Sequence, residues 1–163
     1  MKKKAIFTIV TVCLVLVGLI VYFVSFLDIL EEPPLNPQQI MQEYINNKEL
    51  FNKTADYIQK NPANISIYKD ENGRAIVSQS QDGGTSNLNI EDNQVNEDIK
   101  YLFDKLKYHS ISEEYGEIKF IRSTGLRYDQ GLLYCEVGTM TTGKYYKEIE
   151  HIEGNWYYYK YTD

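Results

Sequence analysis

Cysteine is nearly missing from this chain: Cys13 and Cys135 are the only two among 163 residues. A disulfide framework is therefore excluded, and whatever folds must rely on its apolar core. Histidine is equally scarce, and His109 and His151 fit neither an H-x-x-x-H nor an H-x-x-E-H spacing. No metal site is expected on that basis. Glycine-rich phosphate loops, a G-x-S-x-G turn beside Ser110 or Ser112, internal repeats and long heptad runs are all missing. These gaps leave no cofactor and no catalytic residue to nominate, and the reading is of a non-enzyme.

Long apolar runs are missing too, with one exception. After Lys2, Lys3 and Lys4, the segment AIFTIVTVCLVLVGLIVYFVSFL carries no charge from Ala5 to Leu27. As a helix rising ~1.5 Å per residue it covers ~34 Å, enough to cross a ~30 Å hydrocarbon core with some tilt. Asp28, Glu31, Glu32, Pro33 and Pro34 then close it. A cleaved signal peptide has a shorter apolar region, ~7–15 residues, and small residues before the cut. Here VYFVSF stands in that place, and Val12 precedes Cys13 where a lipoprotein signal needs a small residue. The expectation is an uncleaved signal anchor: a cytoplasmic tail at 1–4, a transmembrane helix at 5–27, a spacer at 28–35 and an extracytoplasmic domain at 36–163. Lysines on one flank and acids on the other put the N-terminus in the cytoplasm and the domain outside the cell membrane.

Basic charge is scarce beyond that anchor. Without the three N-terminal lysines, 14 of the 17 basic residues face 23 acidic ones, a net charge of −9. Such a domain is repelled by an anionic bilayer and lacks the basic stripe that nucleic acid requires. Membrane contact is expected through 5–27 alone, and a protein or peptide partner, if there is one, should be basic. Cys135 in LLYCEV alternates with Leu133 and Val137, which marks a small buried side chain on a strand rather than a reactive thiol. An exported domain without a disulfide suits a bacterium.

The spacing of apolar residues predicts an α+β domain, with two helices packed on a curved antiparallel sheet. Asn36 reads as an N-cap with Pro37 at the first helical position, and Ile40, Tyr44, Phe51, Ala55 and Ile58 form one stripe. That helix runs to about Lys60, with Asn46-Asn47 as its weak point. ISIYKDENGRAIVSQ reads as a hairpin turning at Asn72-Gly73, and 80–94 as a polar loop with a short strand at 88–90. The second helix buries Val95, Ile99, Leu102, Phe103 and Leu106, with Glu97 and Asp98 in its first turn and His109 beyond its end. Four strands follow, EIKFIRS, LLYCEVG, KYYKEIEHI and WYYYKYT, whose spacing suggests a meander.

Aromatic side chains are what the chain has in abundance, with 15 tyrosines. The last two strands concentrate them. With Gly154-Asn155 as a two-residue turn, Glu153 opposes Trp156, Ile152 opposes Tyr157, His151 opposes Tyr158 and Glu150 opposes Tyr159. One face then carries Trp156, Tyr158, Ile149, His151 and Tyr145 and should be the core. The other carries Tyr157, Tyr159 and Tyr161 beside Tyr146, Glu148 and Glu150, a wet row of tyrosines and carboxylates. Those six residues are the candidate binding set, since an aromatic patch can take sugar rings, quaternary amines or another protein.

In organisation the chain resembles the small signal-anchored extracytoplasmic proteins of low-GC Gram-positive bacteria. Helices followed by four strands also resemble the cystatin/NTF2-like architecture of single-span components of conjugation and secretion machines. The function expected is a membrane-anchored interaction module, of which an immunity or exclusion protein is one version. A cell-wall hydrolase using Glu148 or Glu150 and a structural assembly component are the alternatives; Glu113, Glu114 and Glu117 are further carboxylates.

Overall fold

A computed structural model describes residues 15–19, 22, 34–61, 64–70, 74–81, 84–88, 90, 92–125, 128–135 and 146–162. The chain divides into two compact units, Met1–Pro33 and Pro34–Asp163. In the first, 15–19 and 22 are helical, and Val15, Leu16, Val17, Leu19 and Tyr22 are exposed. Most of the expected span 5–27, the turn at Asn72-Gly73 and Tyr145 lie outside the described residues. Among those described, no helix is long and apolar enough to cross a membrane.

The second unit is α+β. It begins with α1 (Pro37–Asn46) and α2 (Lys48–Gln59), then β1 (Ile65–Lys69), β2 (Ala75–Gln81), β3 (Gly84–Leu88) and α3 (Asn93–Asp104). The strands β4 (Ser110–Glu114), β5 (Glu117–Thr124), β6 (Tyr128–Cys135), β7 (Tyr146–Glu153) and β8 (Trp156–Thr162) complete it. The eight strands among the described residues form one sheet in the order β3-β2-β1-β4-β5-β6-β8-β7, and every neighbouring pair is antiparallel.

Local chemistry explains the helix boundaries. The Asn36 side chain accepts from the Gln38 amide at 2.9 Å, and Pro37 fills the first helical position. The single helix expected to Lys60 is two, because Asn47 leaves helical geometry (φ −127°, ψ 25°) and its amide side chain donates to the Glu43 carbonyl at 2.9 Å. The expected apolar stripe survives the break: Ile40, Tyr44, Phe51, Ala55 and Ile58 are all buried. α3 is capped by Asp92, whose carboxylate accepts from the Gln94 and Val95 amides. The cap sits early enough that Glu97 and Asp98 fall beyond the first turn, contrary to expectation.

The helices cover one sheet face. Their apolar stripes pack with Ile67, Ile111, Ile118, Phe120, Leu132, Trp156 and Tyr158 in a single core. At ~25 cal/mol per Å² of apolar surface, such side chains contribute ~1.5–3 kcal/mol each. A residue pushed out of step in β5 aids this packing: the register slips between Ile121 and Ser123. Arg122 thereby reaches Glu43 of α1 through Nε at 3.1 Å and Nη2 at 3.2 Å.

Three expectations about the sheet are corrected. β4 and β3 were not anticipated as full strands. The signal for β4 was Tyr115-Gly116, both at positive φ (55° and 80°), as a tight two-residue hairpin turn demands. The last four strands are not a meander either, because β8 inserts between β6 and β7. β8 has aromatic side chains on both faces and gains from two neighbours, whereas the charged strand YKEIEHIE tolerates the edge.

Finally, Glu153 does oppose Trp156, but Ile152 is an extra residue, so His151 opposes Tyr157, Glu150 opposes Tyr158 and Ile149 opposes Tyr159. The bulge lets Ile152 pack against the core and flips Glu148 to His151 to the opposite face, and a second extra residue, Lys147, returns Tyr146 to the face expected for it.

Gly131 of β6 has no room for a side chain: a Cβ there would lie 1.9 Å from the Phe120 carbonyl oxygen. The neighbouring atoms are backbone of β5 at its bulge and cannot swing away. Gly131→Ala is expected to cost ~1–3 kcal/mol or more, read as a lowered denaturant midpoint. A midpoint equal to wild type would contradict this close approach.

Candidate ligand pocket

The face turned away from the helices carries the second feature of the domain. Alternation along β5 puts Glu117, Lys119 and Ile121 there, opposite Cys135, Leu133 and Gly131 of β6. Across β6, Leu133 meets Tyr157, Gly131 meets Tyr159 and Asp129 meets Tyr161 of β8. β7 then adds His151, Ile149 and Tyr146. Leu133, Cys135 and Tyr159 are buried in a small second core, with Tyr146, Tyr157 and Tyr161 half-buried against it.

This face is concave, and one hydrogen bond demonstrates it. β5 and β7 are separated by two strands, which would hold their backbones ~14 Å apart on a flat sheet. Glu117 and Tyr146 also lie toward opposite ends of the strands between them, opposing Cys135 and Tyr161 respectively. Yet the Tyr146 hydroxyl donates to Glu117 Oε2 at 2.6 Å. The sheet must coil until that diagonal closes. Gly131 lies along the way, and its missing side chain leaves the hollow open above the strand centre.

The hollow is a cavity of about 620 Å³, within the usual range for small-ligand sites. The end of β4 supplies Glu114, the following turn Tyr115, β5 Glu117, Lys119 and Ile121, and β6 Asp129. Tyr146, Tyr159 and Tyr161 form the aromatic wall. The Lys119 ammonium lies over the Tyr146 ring, 5.7 Å from its centroid. Glu117 is 4% exposed, and Tyr115, at 82%, stands at the rim.

Burial first, then the bond to the Glu117 carboxylate, holds the Tyr146 phenol well above its usual range. Tyr159 is pushed up as well, by burial and then by the Asp129 carboxylate. Both stay protonated at physiological pH and act as neutral hydrogen-bond donors. The Tyr146 proton is committed to Glu117. The Tyr159 hydroxyl is buried and has no hydrogen-bond partner among the described residues.

Of the six residues nominated from sequence, the structure brings four together. Tyr146, Tyr159 and Tyr161 line the cavity, and Tyr157 lies on the same face with its ring 5.0 Å from His151. Tyr159 is 1% exposed, where a wet position was expected. Glu148 and Glu150 are on the opposite face, opposing Lys160 and Tyr158. Their charges act after burial in raising the Tyr158 phenol to about 12, which fits that placement.

The extra residue Ile152 is the cause of this exchange, so the paired arrangement of Glu148 or Glu150 with the tyrosine row does not form. Ile149 and His151, expected in the core, are exposed. Sequence reasoning missed Tyr115, Lys119, Ile121 and Asp129. The alternation E-I-K-F-I would have placed Glu117, Lys119 and Ile121 on one face, but nothing local predicts that this face meets Tyr146.

The other nominated groups have ordinary roles. The His151 Nε2 lies 3.0 Å from the Gly154 carbonyl oxygen at the β7–β8 turn. His109 is exposed at the entry to β4, where its amide donates to the Ile121 carbonyl at 2.8 Å. Cys135 is a buried thiol in no disulfide. Among the described residues no group of three or more His, Cys, Asp or Glu is placed to hold a metal ion. No protein-family model, curated protein or solved structure matches the chain.

Two phenylalanine substitutions separate the tyrosines. Tyr146→Phe removes a hydrogen bond to a buried carboxylate and should cost ~1.5–3 kcal/mol, whereas Tyr159→Phe removes an unpaired hydroxyl and should be neutral or stabilising. Thermal melts of the two variants check the contrast.

The raised phenols also fix an alkaline limit. Their stabilising contribution is complete below the unfolded tyrosine value, about 10, and is lost as pH rises above it, because the unfolded chain ionises first. The melting midpoint should hold to about pH 9.5 and fall above pH 10, less steeply in Tyr159→Phe. A midpoint flat to pH 11.5 would contradict the protonated, buried state of these groups.

Proposed function

We propose that this protein is a membrane-tethered, non-enzymatic interaction module, whose α+β domain works on the outer face of the cytoplasmic membrane and binds a basic peptide or protein partner at the tyrosine-lined hollow. The observation that carries this reading is the hollow itself. It combines an aromatic wall, a carboxylate majority and a buried hydroxyl without a partner among the described residues. In a domain of net charge −9, the long-range field and the pocket favour the same sign of partner.

The anchor reading rests on the uncharged stretch Ala5–Leu27 and its flanking charges. Exposed apolar side chains at 15–19 and 22 support it. Tethering confines the search for a partner to the membrane surface, so modest affinity suffices. The order of helices, hairpin, helix and strands, with the helices on one sheet face, supports a variant of the cystatin/NTF2-like architecture. That likeness concerns fold and carries no function.

Two measurements test the reading. In a bacterial host, the full chain should stay with membranes through alkaline carbonate extraction, with its C-terminal domain open to added protease in spheroplasts. Release into the soluble fraction would remove the anchor.

For binding, detergent-solubilised full chain is titrated with an amphipathic ten-residue peptide of alternating lysine and leucine. The double variant Tyr115→Ser, Tyr161→Ser should bind at least fivefold more weakly than wild type, since both rings line the cavity without being fully buried. Equal affinity in the two proteins would sink the site.

A further inference from the structure

We infer that the hollow is a seat for an alkylammonium group, the head of a lysine side chain, and that Lys119 holds that seat in the free protein. This rests on the reading of the hollow as a binding site and names the chemistry it selects. The structure already shows one ammonium in place, Lys119 Nζ at 5.7 Å from the Tyr146 centroid. An aromatic face attracts a cation through its quadrupole, and more strongly where water is displaced.

Around that ring the lining is unbalanced in charge. Among the described residues, Glu114, Glu117 and Asp129 contribute three carboxylates against the one ammonium of Lys119. Among the described residues Lys119 forms no ion pair with any of them. Its stem is tethered to β5, so it occupies part of the hollow while the described lining keeps an excess of negative charge.

An acidic cluster alone would not identify a ligand, because surface carboxylates are content in water. Tyr159 adds an independent sign. It lines the same cavity, is 1% exposed, and keeps a hydroxyl with no hydrogen-bond partner among the described residues. A buried polar group left in that state costs free energy that a bound polar group would recover. Ile121 and the ring edges give the methylene stem of a lysine an apolar wall. A neutral ligand would not offset that excess charge, and an anion would meet three like charges.

The incoming ammonium and Lys119 compete for one place, and the sign of that competition is testable. Removing a positive charge from an acidic pocket would strengthen binding of a cation through bulk electrostatics alone, but only modestly once salt screens it. Removing a direct competitor strengthens binding in high salt as well.

The experiment uses detergent-solubilised full chain and isothermal titration calorimetry at 0.05 and 0.5 M sodium chloride. The probes are n-butylammonium, n-butanol as its neutral counterpart, and the capped tripeptide acetyl-Ala-Lys-Ala-amide. Wild type should bind n-butylammonium weakly, in the millimolar range, and n-butanol at least fivefold more weakly. Lys119→Met should tighten n-butylammonium about fivefold at both salt concentrations. Tyr146→Phe keeps the ring and should retain binding within a factor of two, whereas Tyr146→Leu should lose it about tenfold; melting midpoints of all variants confirm that they remain folded.

A tripeptide tighter than n-butylammonium supports the seat and assigns the ammonium to a peptide. Equal affinities support the seat and assign it to free amines. The inference is overturned if n-butanol binds as well as n-butylammonium, or if Lys119→Met leaves affinity unchanged or lowers it in 0.5 M salt. If both ammonium probes fail while the ten-residue peptide still binds, the seat falls and the interaction face stands. If that peptide fails as well, both fall.

Discussion

Everything else in the domain is arranged around the indole of Trp156. Its N–H donates to Asn52 Oδ1 of α2 at 2.7 Å, so the largest apolar side chain of β8 is buried without losing a hydrogen bond. Tyr44 of α1, Phe51 of α2, Phe120 of β5 and Tyr134 of β6 have ring centroids 5.0–5.9 Å from it. One side chain thus fixes two helices and three strands at once. The neighbouring Tyr44 hydroxyl donates to Glu153 at 2.7 Å, and Lys48 closes on the same carboxylate. The helix pair is therefore locked to the β7–β8 turn by both packing and charge.

That lock determines what the opposite face can do. β8 presents Trp156 and Tyr158 to the helices, so the alternating residues Tyr157, Tyr159 and Tyr161 must turn away from them. Among the described residues no helix lies there, so the second aromatic face is buried by the sheet itself. Coiling supplies the cover, and it needs the close approach of β5 and β6 at Gly131. The hollow is thus what a strand aromatic on both sides leaves when only one side receives helices. Its polar groups are unevenly satisfied, with Tyr146 and Glu117 matched to each other and Tyr159 unmatched.

Much of this was legible in the residues, and the remainder failed for identifiable reasons. The stripes Ile40–Tyr44–Phe51–Ala55–Ile58 and Val95–Ile99–Leu102–Phe103 gave the buried faces of the helices correctly, because helical periodicity is local. Trp156 and Tyr158 were assigned to the core for a similar reason, since the two faces of β8 differ in character. The partner strand could not be read the same way. Two extra residues, Ile152 and Lys147, decide which β7 side chains meet the tyrosines, and no feature of KYYKEIEHI announces either. The order of the last strands escaped as well, since spacing along the chain does not say which strand neighbours which. The pocket was half legible: its aromatic wall came from composition, but Lys119 and Asp129 join it only through coiling of the whole sheet.

The insertion of β8 between β6 and β7 has a consequence for the order in which the domain comes into being. β7 is synthesised before β8, yet β8 is its only neighbour in the sheet among the described residues. Until the later strand emerges, β7 must wait as an extended segment with both edges unpaired, a state that invites pairing with another chain. Its composition suits the wait. Lys147, Glu148, Glu150 and His151 remain exposed even in the finished sheet, so the strand is as comfortable in water as on its partner. A strand richer in branched apolar residues would pair better and wait worse.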